Sequence, residues 1–258
     1  MSPCLRQSVR AGFRRMLFGA APRSIRLPLD YYLSVLRGSV EPELRNLEQY
    51  CPTQGCAIDV GAHCGHYAYR LSRLFDRVVA FDINADLLGD LESYNPGNIT
   101  IVPQGLSSKS GEIPFFIPLL DGRPLTGWAS VDPTNLPGAQ QNACRTARVT
   151  TLDEFQLADV GFIKIDVEGH ELDVLKGAEE TLRRCQPMLL IEVKAHNNAV
   201  VEKLLTGHGY TKKSLQELIG VKGSPENVFF LPARNRAPSR PNETTSADFR
   251  QCPPLHPT

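Results

Sequence analysis

Five short apolar runs punctuate the middle of the chain: "CAIDV" (56–60), "RVVAFD" (77–82), "NITIV" (98–102), "GFIKIDV" (161–167) and "PMLLIEV" (187–193). They are rich in Val and Ile and show little polar alternation, the pattern of strands buried on both faces. Helical stretches lie between most of them. "HYAYRLSRLF" follows the first run, "NADLLGDLESY" the second, "HELDVLKGAEETLRRC" the fourth and "NNAVVEKLLTGHG" the fifth. Such alternation predicts an α/β fold, a doubly wound, mostly parallel sheet with helices on both faces. A last segment, "ENVFFLP" (226–232) after "GYTKKS", predicts a closing antiparallel pair. Sheets of this kind bind ligands outside the carboxyl ends of their strands.

The two ends of the chain read differently. Arg6, Arg10, Arg14, Arg15, Arg23, Arg26 and Arg37 face a single acid, Asp30, before residue 40. Within that stretch "CLRQSVRAGFRRMLFGAA" spaces Leu5, Val9, Phe13 and Leu17 as one helix face. Residues 1–50 are therefore expected to form a basic helical extension that packs on the domain behind it, with membrane-surface contact or organellar targeting as the sharper alternatives. Residues 51–232 form the expected domain. Residues 233–258, rich in Pro, Ser, Thr and Asn, are expected to be a disordered tail.

Charge and cysteine usage narrow the classes. The formal charge is zero, which gives no support to a nucleic-acid partner. No apolar run is long enough to span a bilayer. The 7 cysteines are odd in number and scattered, with neither CxxC pairs nor a Cys/His cluster at zinc spacing, so they are expected to be reduced thiols in a cytoplasmic protein.

The strand ends carry the chemistry. The first strand runs into "DVGAHCGH", where Asp59, Gly61 and Gly65 mark a tight turn that opens a helix and offers unpaired N–H groups. The dinucleotide fingerprint GxGxxG is absent. Asp82 ends the second strand, where a carboxylate can accept hydrogen bonds from both ribose hydroxyls; its structural reading is an acid at a helix start. A glycine turn with an acidic second strand points to a nucleoside-containing ligand.

"AIDVGAHCGHY", "VVAFD", "TTLDEF" (150–155) and "FIKIDVEGHELDVLKGA" (162–178), in this order, resemble the FkbM family of S-adenosylmethionine-dependent methyltransferases over residues 55–232. The resemblance implies a class I methyltransferase fold, S-adenosyl-L-methionine as cofactor, and methyl transfer to a hydroxyl on a sugar, glycan or small metabolite. It places Asp59, Gly61 and Gly65 along the methionine part, Asp82 on the ribose, and "PQGLSS", with Gln104, beside the adenine; His63 and Asp166 complete the expected cofactor set. Two positions depart from the family pattern. His63 stands where Asn is usual, and Asp82-Ile83 where Glu-Pro is.

Asp166 closes the fourth strand, beside the first at the centre of such a sheet, so it is expected to face the transferring methyl group and the acceptor. Methyl transfer needs alignment and removal of the acceptor proton. Glu168 and His170 on the same turn are further catalytic candidates; carboxylates there also suit the positive end of a helix. Glu192 is a second acidic point on the rim. Asp166, Glu192 and His196 have no spacing signature for a metal, and none is expected. Lys164 interrupts an apolar strand without an evident partner. Residues 117–145, a Gly- and Pro-rich stretch with the chain's one tryptophan, read as a long loop over the acceptor, with Trp128, Ser130 and Arg123 as candidate contacts. The alternatives are a nicotinamide-dependent oxidoreductase and a non-catalytic methyltransferase-like binding module.

Overall fold

The computed structural model describes residues 21–120, 123–124, 129–131 and 141–233. The basic stretch at 4–21 begins outside these residues, as do Trp128 and nearly all of the tail. In chain order the strands are β1 (Cys56–Val60), β2 (Arg77–Phe81), β3 (Ile99–Val102), β4 (Gly105–Leu106), β5 (Gly111–Leu120), β6 (Arg123–Pro124), β7 (Gln141–Thr150), β8 (Val160–Ile165), β9 (Met188–Glu192), β10 (Tyr210–Lys213) and β11 (Asn227–Pro232). The helices are α1 (Arg23–Leu36), α2 (Pro42–Arg45), α3 (Leu47–Tyr50), α4 (His66–Leu71), α5 (Gly89–Tyr94), α6 (Glu171–Lys176), α7 (Glu179–Cys185), α8 (Asn198–Gly207) and α9 (Leu215–Ile219).

The main sheet has the order β10-β11-β9-β8-β1-β2-β3. Pairs β9-β8, β8-β1, β1-β2 and β2-β3 are parallel, and β11 runs antiparallel to both β9 and β10. All five apolar runs are strands in it, and the closing pair forms as predicted. The pleat sorts side chains to two cores. Ile58, Val60, Ile163 and Ile191 pack with Val174, Leu182 and Val201 of α6, α7 and α8. Ala57, Phe162 and Phe229 pack on the other face with Leu27 and Tyr31 of α1, Leu47 of α3, Tyr69 of α4 and Leu91 of α5. Residues 23–50 thus bury Leu27, Tyr31, Leu44 and Leu47 in the same core as Ala57 of β1.

Two expectations are corrected. The stretch at 117–145 is not one loop: β5 and β7 pair antiparallel from Gly111↔Val149 to Leu119↔Gln141 and, with β4 and β6, make a second sheet. Its prolines misled the reading, yet Phe115 and Ile117 are buried on alternate positions of β5, the period of a strand. The single helix expected over 170–185 is two, α6 and α7. They break at Gly177, where any side chain would collide with the carbonyl of Ser107.

Lys164 now has partners. It is 1% exposed in β8, next to Asp59 in the β1–β8 register, with Nζ 3.7 Å from Asp166 Oδ2 and 5.2 Å from the centre of the Tyr67 ring. A buried ammonium is tolerable only when paired. Asp59 is equally buried; desolvation pushes its carboxyl up to about 7, against the pull of Lys164. A raised acid pKa means that the folded chain binds more protons than the unfolded one, so Asp59 subtracts stability as pH rises from its ordinary range through about 7. Lys164→Met is expected to lower stability by about 3–5 kcal/mol in urea melts at pH 8, and by less at pH 5, where Asp59 is neutral. Adding Asp59→Asn should recover part of the loss at pH 8. Equal losses at both pH values would mean that Lys164 does not compensate Asp59.

Candidate active site

The carboxyl ends of β1, β2 and β8 surround a cavity of about 310 Å³. Its wall contains Gly61, His63, Asp82, Asp166, Glu168 and His170, six of the residues singled out in the sequence. Local backbone explains why these side chains converge. The N–H groups of Gly61 and Ala62 both donate to the carbonyl of Phe81 (2.9 Å each), tying the turn after β1 to the end of β2. Asp166 N–H donates to Val60 O at 2.9 Å, tying it to β8. Gly61 has φ +79°, and a Cβ there would collide with the Asp166 carbonyl; this glycine is required by the meeting of two strand ends. His63 follows with φ 51°, a left-handed position that Asn and His tolerate better than most residues, which accounts for the exchange of one for the other.

Asp82 sits at the centre of this turn. Its Oδ2 accepts the N–H of His63 and its Oδ1 that of Asn84, both at 2.7 Å. Burial raises its pKa, and the two backbone donors oppose the rise. Each oxygen has a further lone-pair direction. Around Asp82 the lining is apolar: Phe81, Ile83, Leu87 and Leu106. A slot of apolar side chains beside a carboxylate with lone pairs to spare has the chemistry to hold a nucleoside, base in the slot and ribose on the acid. The residues present therefore fit the nucleoside part of S-adenosylmethionine.

The acidic end is built differently. Asp166 has its pKa raised to about 6, by burial first, against the pull of Lys164 and with the push of Glu192 and Glu168. Glu168, at φ 51°, makes an ion pair with Lys194 at 3.0 Å. Lys194 also reaches Glu192 (2.9 Å) and Glu226 (3.1 Å). Burial pulls this ammonium down, but its bonds to Glu192 and Glu168 hold it well above its ordinary value. The carboxylates of Asp166, Glu168 and Glu192 lie within 4.8 Å of one another. His196, weighed with Asp166 and Glu192 in the sequence and given no metal role there, is exposed and outside this group.

Several predicted residues stand elsewhere. Asp59 is not in the cavity wall: it is buried inside β1, bonded by the Ala68 backbone N–H of α4, with Oδ2 lacking a hydrogen bond. Gly65 faces Leu91, and α4 begins at His66. Gln104 is absent from the lining, which its neighbours Gly105 and Leu106 provide. Ser130 donates from Oγ to the Glu168 carbonyl at 2.8 Å, so it anchors the second sheet to the turn while Ala129 and Val131 line the cavity. Glu192 touches Lys194 and is not part of the wall. Trp128 and the Arg123 side chain lie outside the described residues. His170 lines the cavity, but its Nε2 is 3.0 Å from Ser107 Oγ and its Nδ1 faces Asp173 at 3.8 Å, so both ring nitrogens are turned toward protein groups. Burial lowers its pKa, with Asp173 opposing. Glu171 accepts the Gly169 N–H at 2.6 Å and the Asn197 amide at 2.9 Å, a structural role at the start of α6.

Glu41, Cys64, His66 and Tyr67, none of them a candidate from sequence, also line the cavity. Tyr67 Oη donates to Glu41 Oε2 at 3.0 Å, closing the wall from the α1–α2 side. Burial pushes the Cys64 thiol up, but hydrogen bonds from His63 and His66 bring it down to about 6; for His66, burial is outweighed by Asp30 and Cys64, and its pKa rises to about 9. "HCGH" was the available signal; nothing local marks Glu41.

The chain is 29% identical over 147 residues to the hexuronic acid methyltransferase AglP of Haloferax volcanii, covering 53% of this chain and 55% of that one. The chain thus spans about half the length of this curated relative. Among solved structures it is similar to the methyltransferase FkbM from Methylobacillus flagellatus, with 17% identity, a TM-score of 0.46, and coverage of 82% of this chain and 55% of that one. An rRNA methylase from Streptococcus thermophilus gives 15% identity and a TM-score of 0.44, over 74% and 95% of the two chains. The profile of the methyltransferase FkbM domain matches residues 59–212, and since that span is more than half of the sequence and includes both Asp82 and the Asp166 turn, the chain belongs to the FkbM methyltransferase domain family.

Proposed function

We propose that this chain is an S-adenosylmethionine-dependent methyltransferase that acts on a hydroxyl oxygen of a sugar, glycan or small metabolite. One observation carries the reading: a single cavity joins an apolar slot with the Asp82 carboxylate to the Asp166 carboxylate at the adjoining strand end. Asp82 and the slot would hold the nucleoside. The cofactor, when bound, supplies an activated methyl group for in-line displacement. Asp166 then orients the acceptor hydroxyl and draws its proton as the new bond forms. A hydroxyl acceptor is supported by a carboxylate at that end in place of an aromatic or basic groove, and by the hexuronic acid specificity in the name of the relative from Haloferax. Family membership leaves the nicotinamide alternative without support, and the open cavity argues against a purely non-catalytic module.

Calorimetry with S-adenosylhomocysteine tests the first half. Asp82→Ala is expected to weaken binding about ten- to a hundredfold, the equivalent of one lost hydrogen bond to a charged group at roughly 1.5–3 kcal/mol. Asp166→Asn should change this affinity by no more than a few fold. Normal binding by a folded Asp82→Ala would remove Asp82 from the cofactor site.

Incubating extracts with methyl-labelled cofactor and the protein identifies the acceptor by mass spectrometry. With that acceptor, turnover should fall as pH drops through about 6, where Asp166 takes up a proton and ceases to accept one. Asp166→Asn should lower kcat about 10²–10⁴-fold and abolish that limb of the profile. A variant that keeps the wild-type rate and pH profile would exclude Asp166 from proton removal.

A further inference from the structure

The turn after β1 carries a second constellation on the cavity rim that the methyl-transfer reading does not use. Asp30 of α1, Cys64 of the turn and His66 at the start of α4 each present a ligand-type atom, and the three atoms lie within 4.8 Å of one another. We infer that Asp30, Cys64 and His66 form a binding site for a divalent ion of the zinc class, with three protein ligands and one position open toward the cavity.

The donor set is the first argument. One sulfur, one imidazole nitrogen and one carboxylate oxygen suit a borderline-soft ion such as Zn²⁺ and do not suit Mg²⁺ or Ca²⁺, which take oxygen ligands. Geometry is the second. Zinc bonds of about 2.0–2.1 Å to N and O at tetrahedral angles separate those two ligand atoms by about 3.3–3.4 Å. His66 Nε2 and Asp30 Oδ2 are an ion pair 3.3 Å apart, the separation that two ligands of one tetrahedral zinc require.

The surroundings hold the ligands in place. Tyr31, next to Asp30 in α1, meets the His66 ring edge-on with centroids 5.9 Å apart, and Arg70 lies over the Tyr31 ring at 5.3 Å. His63 hydrogen-bonds the Cys64 side chain. Orientation of ligands by neighbours of this kind is a general property of metal sites. Two of the three ligands, Cys64 and His66, line the cavity, whereas Asp30 approaches from α1 behind the rim. An ion here would pin α1 to the turn and offer its fourth position to water or to a carboxylate or amine on a cavity ligand. The Asp166, Glu168 and Glu192 cluster differs: Lys194 already bridges two of its carboxylates.

The full-length, reduced protein is titrated with Co²⁺ and Zn²⁺. Cobalt should produce the thiolate charge-transfer band and tetrahedral visible spectrum at one equivalent, bleached by Zn²⁺ and unaffected by Mg²⁺. Zinc should raise the melting temperature. Cys64→Ser should abolish the charge-transfer band, and Asp30→Asn should weaken zinc binding about tenfold to a hundredfold or more. Cys144→Ser, at an exposed thiol outside the site, should leave both unchanged. Because Cys64→Ser removes a side chain from a structured turn, its melting temperature without metal is measured as well, and Asp30→Asn, at a position outside the cavity wall, provides the independent variant. No zinc binding at micromolar concentration, or a cobalt–thiolate band that survives Cys64→Ser or wild-type zinc affinity in Asp30→Asn, overturns the site. These readouts involve no methyl transfer, so failure here leaves the proposed activity standing, and failure of that activity leaves this site standing.

Discussion

A lysine ammonium buried at the centre of a parallel sheet is the constraint around which the cavity is built. Lys164 lies between Asp59 on the neighbouring strand and Asp166 at the end of its own. Removing an ion from water is unfavourable by several kcal/mol, so the charge persists only if carboxylates and polarisable groups surround it. Asp59, Asp166 and the face of Tyr67 do so. Because Tyr67 in turn bonds Glu41, the same charge organises the cavity wall from β8 across to the α1–α2 side. The acidity of the site is thus partly a requirement of the core.

Backbone crowding supplies the second constraint. The ends of β1 and β8 approach so closely that only glycine fits at position 61, and the α6–α7 break approaches β4 so closely that only glycine fits at 177. His63 and Glu168 adopt left-handed backbone on facing turns. These conformations are held by hydrogen bonds to Asp82 in one case and by Ser130 and Lys194 in the other. Strain at such positions persists only where the surroundings over-determine it.

The main sheet was legible because strands buried on both faces write themselves as apolar runs, and the five runs 56–60, 77–82, 98–102, 161–167 and 187–193 needed no partner to be seen. The second sheet was not. Pro114 and Pro118 in β5, and the polar β7 opposite, hide a strand whose alternation only Phe115 and Ile117 reveal. The strand-end residues that line the cavity were legible for the same reason as the strands. Residues that arrive from far away in the chain were not: Asp30 and Glu41 precede β1, and no periodicity links them to Cys64, His66 or Tyr67. Level along the strand was the other blind spot. Asp59 and Asp82 both fall at the ends of apolar runs, but Asp59 lies inside β1 opposite Ala80, two residues short of the level of Asp82, and is buried there instead of lining the cavity.

The structural and functional readings of these carboxylates are not competitors. A carboxylate has about four acceptor directions. Asp82 uses two on the N–H groups of His63 and Asn84, and in doing so it shapes the turn and aims its remaining lone pairs into the cavity. Glu171, by contrast, directs its oxygens to Gly169 and Asn197 while fully buried, which leaves it no face toward a ligand. What separates a cap from a site residue is therefore whether acceptor capacity and access to the cavity remain after the backbone has been served. By that criterion Asp82 and Asp166 keep the capacity to meet a ligand, Glu171 and Asp59 do not, and Glu168, whose charge Lys194 already holds, lies between them.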